Sequence, residues 1–122
     1  MAKKVSQNST DAALNYDINA AERMVICSAE PTDYSNVSTV ALGDIAIGAG
    51  DFTLQTGGGG RQYVVAQKTD VNIDTTGTAN HIALVDDTGS ELLTVTTTPN
   101  TEVSSGGTAT INSWTRTIAD PS

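Results

Sequence analysis

The stretch His81-Ile82-Ala83-Leu84-Val85-Asp86-Asp87-Thr88-Gly89-Ser90-Glu91-Leu92-Leu93-Thr94-Val95-Thr96-Thr97 decides the fold. Ile82 to Val85 is apolar at every position, and a strand of that kind is buried on both faces. After the loop Asp87-Thr88-Gly89-Ser90 the chain alternates from Glu91 to Thr97, the period of a strand with one wet face. The pair predicts a hairpin, with Ile82–Val85 the most central strand of its sheet.

Working towards the N-terminus, Val71 and Ile73 alternate with Asp70, Asn72 and Asp74, and Tyr63 to Ala66 forms another apolar run. Thr75-Thr76-Gly77-Thr78 supplies a turn. Val40 and Leu42 are separated from Ile45 and Ile47 by Gly43-Asp44, a dipeptide suited to a bulge or a tight turn, so strand, turn and strand are expected from Val37 onward. Met24 to Cys27 predicts a strand buried on both faces, ended by Pro31. Before it, Leu14, Ile18 and Ala21 recur at helical spacing, with Thr10 or Asp11 as the cap of a short helix.

Towards the C-terminus, Thr101–Val103 and Thr108–Ile118 are expected to pair across Ser104-Ser105-Gly106-Gly107. Ala109 and Ile111 differ in parity from Trp114 and Ile118, so burying all four on one face requires a bulge near Asn112-Ser113. About eight strands at short, even spacing predict an all-β fold, a β-sandwich or jelly roll with a short N-terminal helix. Residues 1–10 are expected as a flexible N-terminal arm and 11–122 as one sandwich domain.

Composition agrees. Leu, Ile, Val and Phe make only 25 of 122 residues, so the core is thin, while 19 threonines favour a pleated, half-buried surface. The formal net charge of -8 repels a phosphate backbone and argues against nucleic-acid binding. No stretch is apolar for long enough to span a bilayer, and the polar run Ser6 to Ser9 replaces the apolar core of a secretory leader. Cys27, the only cysteine, has no disulfide partner and no metal-ligand spacing around it, and reads as a small buried hydrophobe.

The residues capable of chemistry lack partners. His81 is the only histidine and stands at the start of the central strand, where a structural role suffices. Asp70, Asn72 and Asp74 open like a calcium loop, but the glycine at the sixth position and the glutamate at the twelfth are missing, which leaves a wet strand face. Gly57 to Gly60 before Arg61 lacks the Lys-Ser or Lys-Thr of a phosphate cradle and reads as a flexible loop. Asp86 and Asp87 are adjacent, so in a strand they point to opposite faces, and turn chemistry accounts for both. No catalytic, cofactor or metal site is expected. Lys3 and Lys4 are the candidate partner contacts: they oppose the charge of the remaining chain, and their segment is expected to order against an acidic patch of a neighbouring subunit.

As a set, Val25-Ile26-Cys27-Ser28-Ala29-Glu30-Pro31-Thr32-Asp33-Tyr34, the Gly60-Arg61 step, Gly77-Thr78-Ala79-Asn80-His81-Ile82-Ala83-Leu84-Val85-Asp86 and Val103-Ser104-Ser105-Gly106 are similar to small proteins encoded among the virion genes of tailed bacteriophages. The resemblance runs from about Leu14 to the C-terminus and rests on structural rather than catalytic motifs. It implies a capsid decoration or cement protein, made in the host cytoplasm and bound in many copies to the major capsid protein or other virion proteins, with self-association also in view. The alternative it leaves open is a tail or head-to-tail accessory protein such as a fibre or receptor-binding module. A carbohydrate-binding module is disfavoured, because Trp114 and the scattered Tyr16, Tyr34 and Tyr63 make few aromatic platforms.

Overall fold

The computed structural model describes residues 7–57 and 59–119. Helix α1 (Gln7–Ala20) leads into β1 (Arg23–Cys27), then α2 (Tyr34–Val40), β2 (Ala41–Ala46) and a 3-10 turn at Ala49–Asp51. Strands β3 (Phe52–Gly57), β4 (Gly60–Val65), β5 (Lys68–Asn72), β6 (Gly77–Asp86), β7 (Glu91–Val103), β8 (Thr108–Ile111) and β9 (Trp114–Ala119) follow. They form a four-stranded sheet β2-β1-β6-β7, a three-stranded sheet β3-β4-β9 and a two-stranded sheet β5-β8. All named pairs are antiparallel, and the fold is mostly β and sandwich-like, as the sequence predicts.

The two middle strands explain the continuous apolar runs. Met24 and Ile26 of β1, with Ile82 and Leu84 of β6, face the larger core, which also holds Leu14 and Ile18 of α1, Tyr63, Val65, Val71, Ile73 and Ile111. Val25, Cys27, Ala83 and Val85 face the opposite way, into a smaller core closed by Val37 of α2. The four-stranded sheet is therefore covered on both sides, and period 2 sorts each strand between two cores.

Helix α1 begins at Gln7, ahead of the cap expected at Thr10 or Asp11. Leu14 and Ile18 lie one turn apart and are buried, and burial of each contributes roughly 1.5–3 kcal/mol. Of the expected arm, residues 1–6, with Lys3 and Lys4, lie outside the described residues, and residues 7–10 are helical.

Four further expectations are corrected, and one pair of alternatives is decided. Val37 to Val40 belongs to α2 instead of a strand: Asp33 caps it, its carboxylate accepting from the Asn36 N–H at 2.8 Å, a bond that lowers the Asp33 pKa. Of the bulge and the tight turn expected at Gly43-Asp44, the structure has the bulge: Ile26 pairs with Gly43 and Cys27 with Ala41, which leaves Leu42 as the extra residue, and the Leu42 carbonyl accepts from Asp74 N at 2.7 Å and Thr75 N at 3.0 Å. Gly57 and Gly60 pair across the β3–β4 hairpin, so this glycine run closes a turn instead of forming a loose loop, and Gly59 takes a φ of 80°.

Thr101–Val103 does not pair with Thr108 onward. It continues β7, with Val103 opposite Gly77, while β8 pairs with β5. Pro99 lies within β7, which it can do because β7 is the edge of its sheet. Finally, the parity conflict around Asn112-Ser113 is resolved by a change of sheet: β8 ends at Ile111, and Trp114 starts β9 against Val65. Among the described residues there are nine strands, against about eight expected.

Candidate functional site

Cys27 is fully buried in the smaller core, and burial pushes its thiol up to about 11. A thiol reagent at pH 8 is expected to leave the folded protein unlabelled and to modify Cys27 only on unfolding. The same shift makes stability depend on pH. Because the folded value lies above the ordinary 9.0, its contribution is complete below pH 9 and is lost as pH rises towards about 11. Compared with Cys27→Ala, the native protein is expected to lose roughly 2–3 kcal/mol across that interval in urea titrations.

Asp86 and Asp87 separate into two structural tasks. Asp86 accepts the Gly89 N–H at 3.0 Å and fixes the β6–β7 turn. Asp87 receives the Arg23 guanidinium through Nε at 3.1 Å and Nη2 at 3.0 Å, with the Tyr34 hydroxyl at 2.9 Å. Partial burial opposes its charge, yet the Arg23 and Tyr34 hydrogen bonds hold its carboxyl below the ordinary range. Arg23 also reaches Asp44 at 2.6 Å, so one cation ties β1 to β2 and to the hairpin turn after β6. Since these groups are partly solvated, Asp87→Ala is expected to cost only about 1 kcal/mol by thermal or urea unfolding.

His81 starts the apolar part of β6, half-buried, with Nδ1 2.6 Å from the Asn80 side-chain oxygen. Asp70, Asn72 and Asp74 are exposed while Val71 and Ile73 are buried, which is the wet face expected. Arg61 engages Asp11 of α1 at 2.7 Å. Among the described residues no cluster of three or more His, Cys, Asp or Glu is arranged for a metal.

The sequence gives no sign of a network at Asp17. This aspartate is 3% exposed, and one carboxylate oxygen accepts from the Tyr63 hydroxyl at 2.8 Å, the Thr94 hydroxyl at 2.7 Å and Arg116 Nη1 at 2.8 Å. It joins α1 to β4, β7 and β9. Burial raises the Tyr63 pKa, and the ring meets Phe52 and Trp114 edge-on at centroid distances of 5.1 and 6.3 Å. Asp17 stands three residues after Leu14, on the buried side of α1, and helical phase was the one available signal for it.

All four described Lys and Arg side chains pair with aspartates: Arg23 with Asp44 and Asp87, Arg61 with Asp11, Lys68 with Asp51, and Arg116 with Asp17. Asp70, Asp74, Asp86, Glu22, Glu30 and Glu102 have no cation at ion-pair distance among the described residues, so the outward charge is acidic.

A marked opening lies where β7 and β8 diverge. A cleft of about 480 Å³ has Ile26, Ala79 and Ile82 from the inner face of the four-stranded sheet, with Thr101 and Glu102 of β7 and Thr110 of β8 at its walls. A second hollow of about 150 Å³ shares Ile82, Thr98 and Ile111 with it and runs on to Trp114. Among the described residues Glu102 is the one ionisable group lining either space. No protein-family model, curated protein or solved structure matches the chain.

Proposed function

We propose that the protein is a non-enzymatic structural component of a tailed-phage virion, a decoration or cement protein bound in many copies to the capsid lattice. The observation that carries this proposal is the commitment of every described cation to an internal aspartate, which leaves an acidic exterior suited to docking. Groups with chemical potential serve the fold: the Cys27 thiol is buried and raised, Asp87 clamps Arg23, and Asp86 closes a turn. The sequence resemblance to virion-encoded proteins supplies the setting.

The test is the copy number in purified particles of the phage that encodes the chain, by quantitative mass spectrometry and cryo-EM. Hundreds of copies on the capsid surface are expected. A dozen or fewer would move the protein to the tail or neck, and absence from the particle would overturn the proposal. In the same frame, Ala at Cys27, His81, Asp86 or Asp87 is expected to alter stability or assembly with no loss of turnover. A hydrolytic or lyase activity abolished by any one of these changes would refute it.

A further inference from the structure

Strands β7 and β8 follow one another across the tight turn Ser104–Gly107, closed by Gly107 N donating to the Ser104 carbonyl at 2.9 Å. Consecutive antiparallel strands so joined normally pair. Among the described residues these do not: β7 pairs only with β6 and β8 only with β5. Their facing edges carry no ladder hydrogen bonds among the described residues, and between them opens the cleft described above, backed by Ile26, Ala79 and Ile82. Two free edges over an apolar floor make a template for an added strand, which supplies main-chain bonds to an edge and side chains to the floor.

The charge of the cleft selects among possible strands. Among the described residues Glu102 is its one ionisable lining group, and the described cations are already paired. A basic segment with small apolar residues fits. Met1-Ala2-Lys3-Lys4-Val5-Ser6 has that composition and carries the two remaining cations of the chain.

Geometry argues for exchange between copies. Asp11 of α1 is held to Arg61, which pairs with Ile118, whereas the hollow ends at Trp114, opposite Val65. Those registers are four residues apart, about 13 Å along the strand. The segment joins α1 at Gln7, one helical turn ahead of Asp11, and six extended residues reach at most about 20 Å, so most of that length is used before β8 begins.

We propose that the cleft between β7 and β8 is a strand-acceptor slot, and that its occupant is the Met1–Ser6 segment of a second copy of this chain, its lysines set against Glu102. This does not depend on the virion assignment, because it concerns the purified protein alone.

The experiment is sedimentation of the full chain over a concentration series at about 0.15 M salt, where screening limits repulsion between acidic bodies but not close contacts. Amide exchange at Thr108–Ile111 is followed alongside. Concentration-dependent association with protection of these amides is expected. Lys3→Glu with Lys4→Glu, and separately Glu102→Lys, each weaken association at least tenfold, and the three changes together restore it. Glu102 is exposed, so its reversal leaves the fold intact, which circular dichroism verifies. A chain that stays monomeric at every concentration, association that neither reversal alters, or association without β8 protection each overturns the proposal. Protection of the slot only on a capsid, with the free chain monomeric, assigns it to another protein and likewise overturns it.

Discussion

Asp17→Ala is expected to destabilise the protein by about 3 kcal/mol, measured by urea unfolding at pH 7. The change removes the acceptor from three donors at once, and their surroundings set the cost. Tyr63 is fully buried, so its hydroxyl loses its partner where water does not replace it, a loss of about 1–3 kcal/mol. Arg116 is about one-third exposed and recovers hydration, so its half of the ion pair contributes less than a fully buried charge would. Tyr63→Phe provides the internal comparison. It removes a single donor and leaves Asp17 with Thr94 and Arg116, so about 1–2 kcal/mol is expected. If both changes cost less than 0.5 kcal/mol, the network is not what fastens α1 to the sheets.

Gly43→Ala is expected to be equally damaging for a different reason. A β-carbon at position 43 would clash with the Asn72 carbonyl oxygen and lie 3.2 Å from Ile73 Cα, both backbone atoms of the crossing chain. Gly43 and Ile73 form the isolated bridge that links β2 to the end of β5, so relief requires the two sheets to separate at that point. About 3 kcal/mol is expected, at the upper end of overpacking costs. Gly77→Ala is the control: its added carbon meets the Leu42 side-chain methyl Cδ2 at 2.9 Å, which rotates aside, and about 1 kcal/mol or less is expected. Equal stability of the two variants would show that the β2–β5 crossing is soft.

The sequence was most informative where side-chain period alone settles the structure. Ile82–Val85, Met24–Cys27 and the alternation at Val71 and Ile73 announce their burial because each strand has only two faces to choose between. It was least informative where a partner decides. Thr101–Val103 and Thr108–Ile111 look like a hairpin, since the turn between them is sound, but Gly77 and β5 claim their hydrogen bonds. The continuation of β7 through Pro99 to Val103 depends on β7 being an edge strand, which only the sheet order shows. Helix α2 was hidden for the opposite reason: Val37 and Val40 prefer strands, and the Asp33 cap with cover from the sheet overrides them. Of the site features, the turn role of Asp86 and the burial of Cys27 were legible. The meeting of Asp17, Tyr63, Thr94 and Arg116 was not, because it joins residues up to 99 positions apart.

The double covering of the four-stranded sheet also sets how the molecule opens over time. Amide protons of Met24–Cys27 and Ile82–Val85 are bonded between neighbouring strands and roofed on either side, so no partial fluctuation exposes them without lifting a whole layer. Their exchange with deuterium then occurs only through global unfolding. Those few protons act as a clock for the entire chain, while the margins of β3 and β9 lose theirs through local fraying long before it runs down.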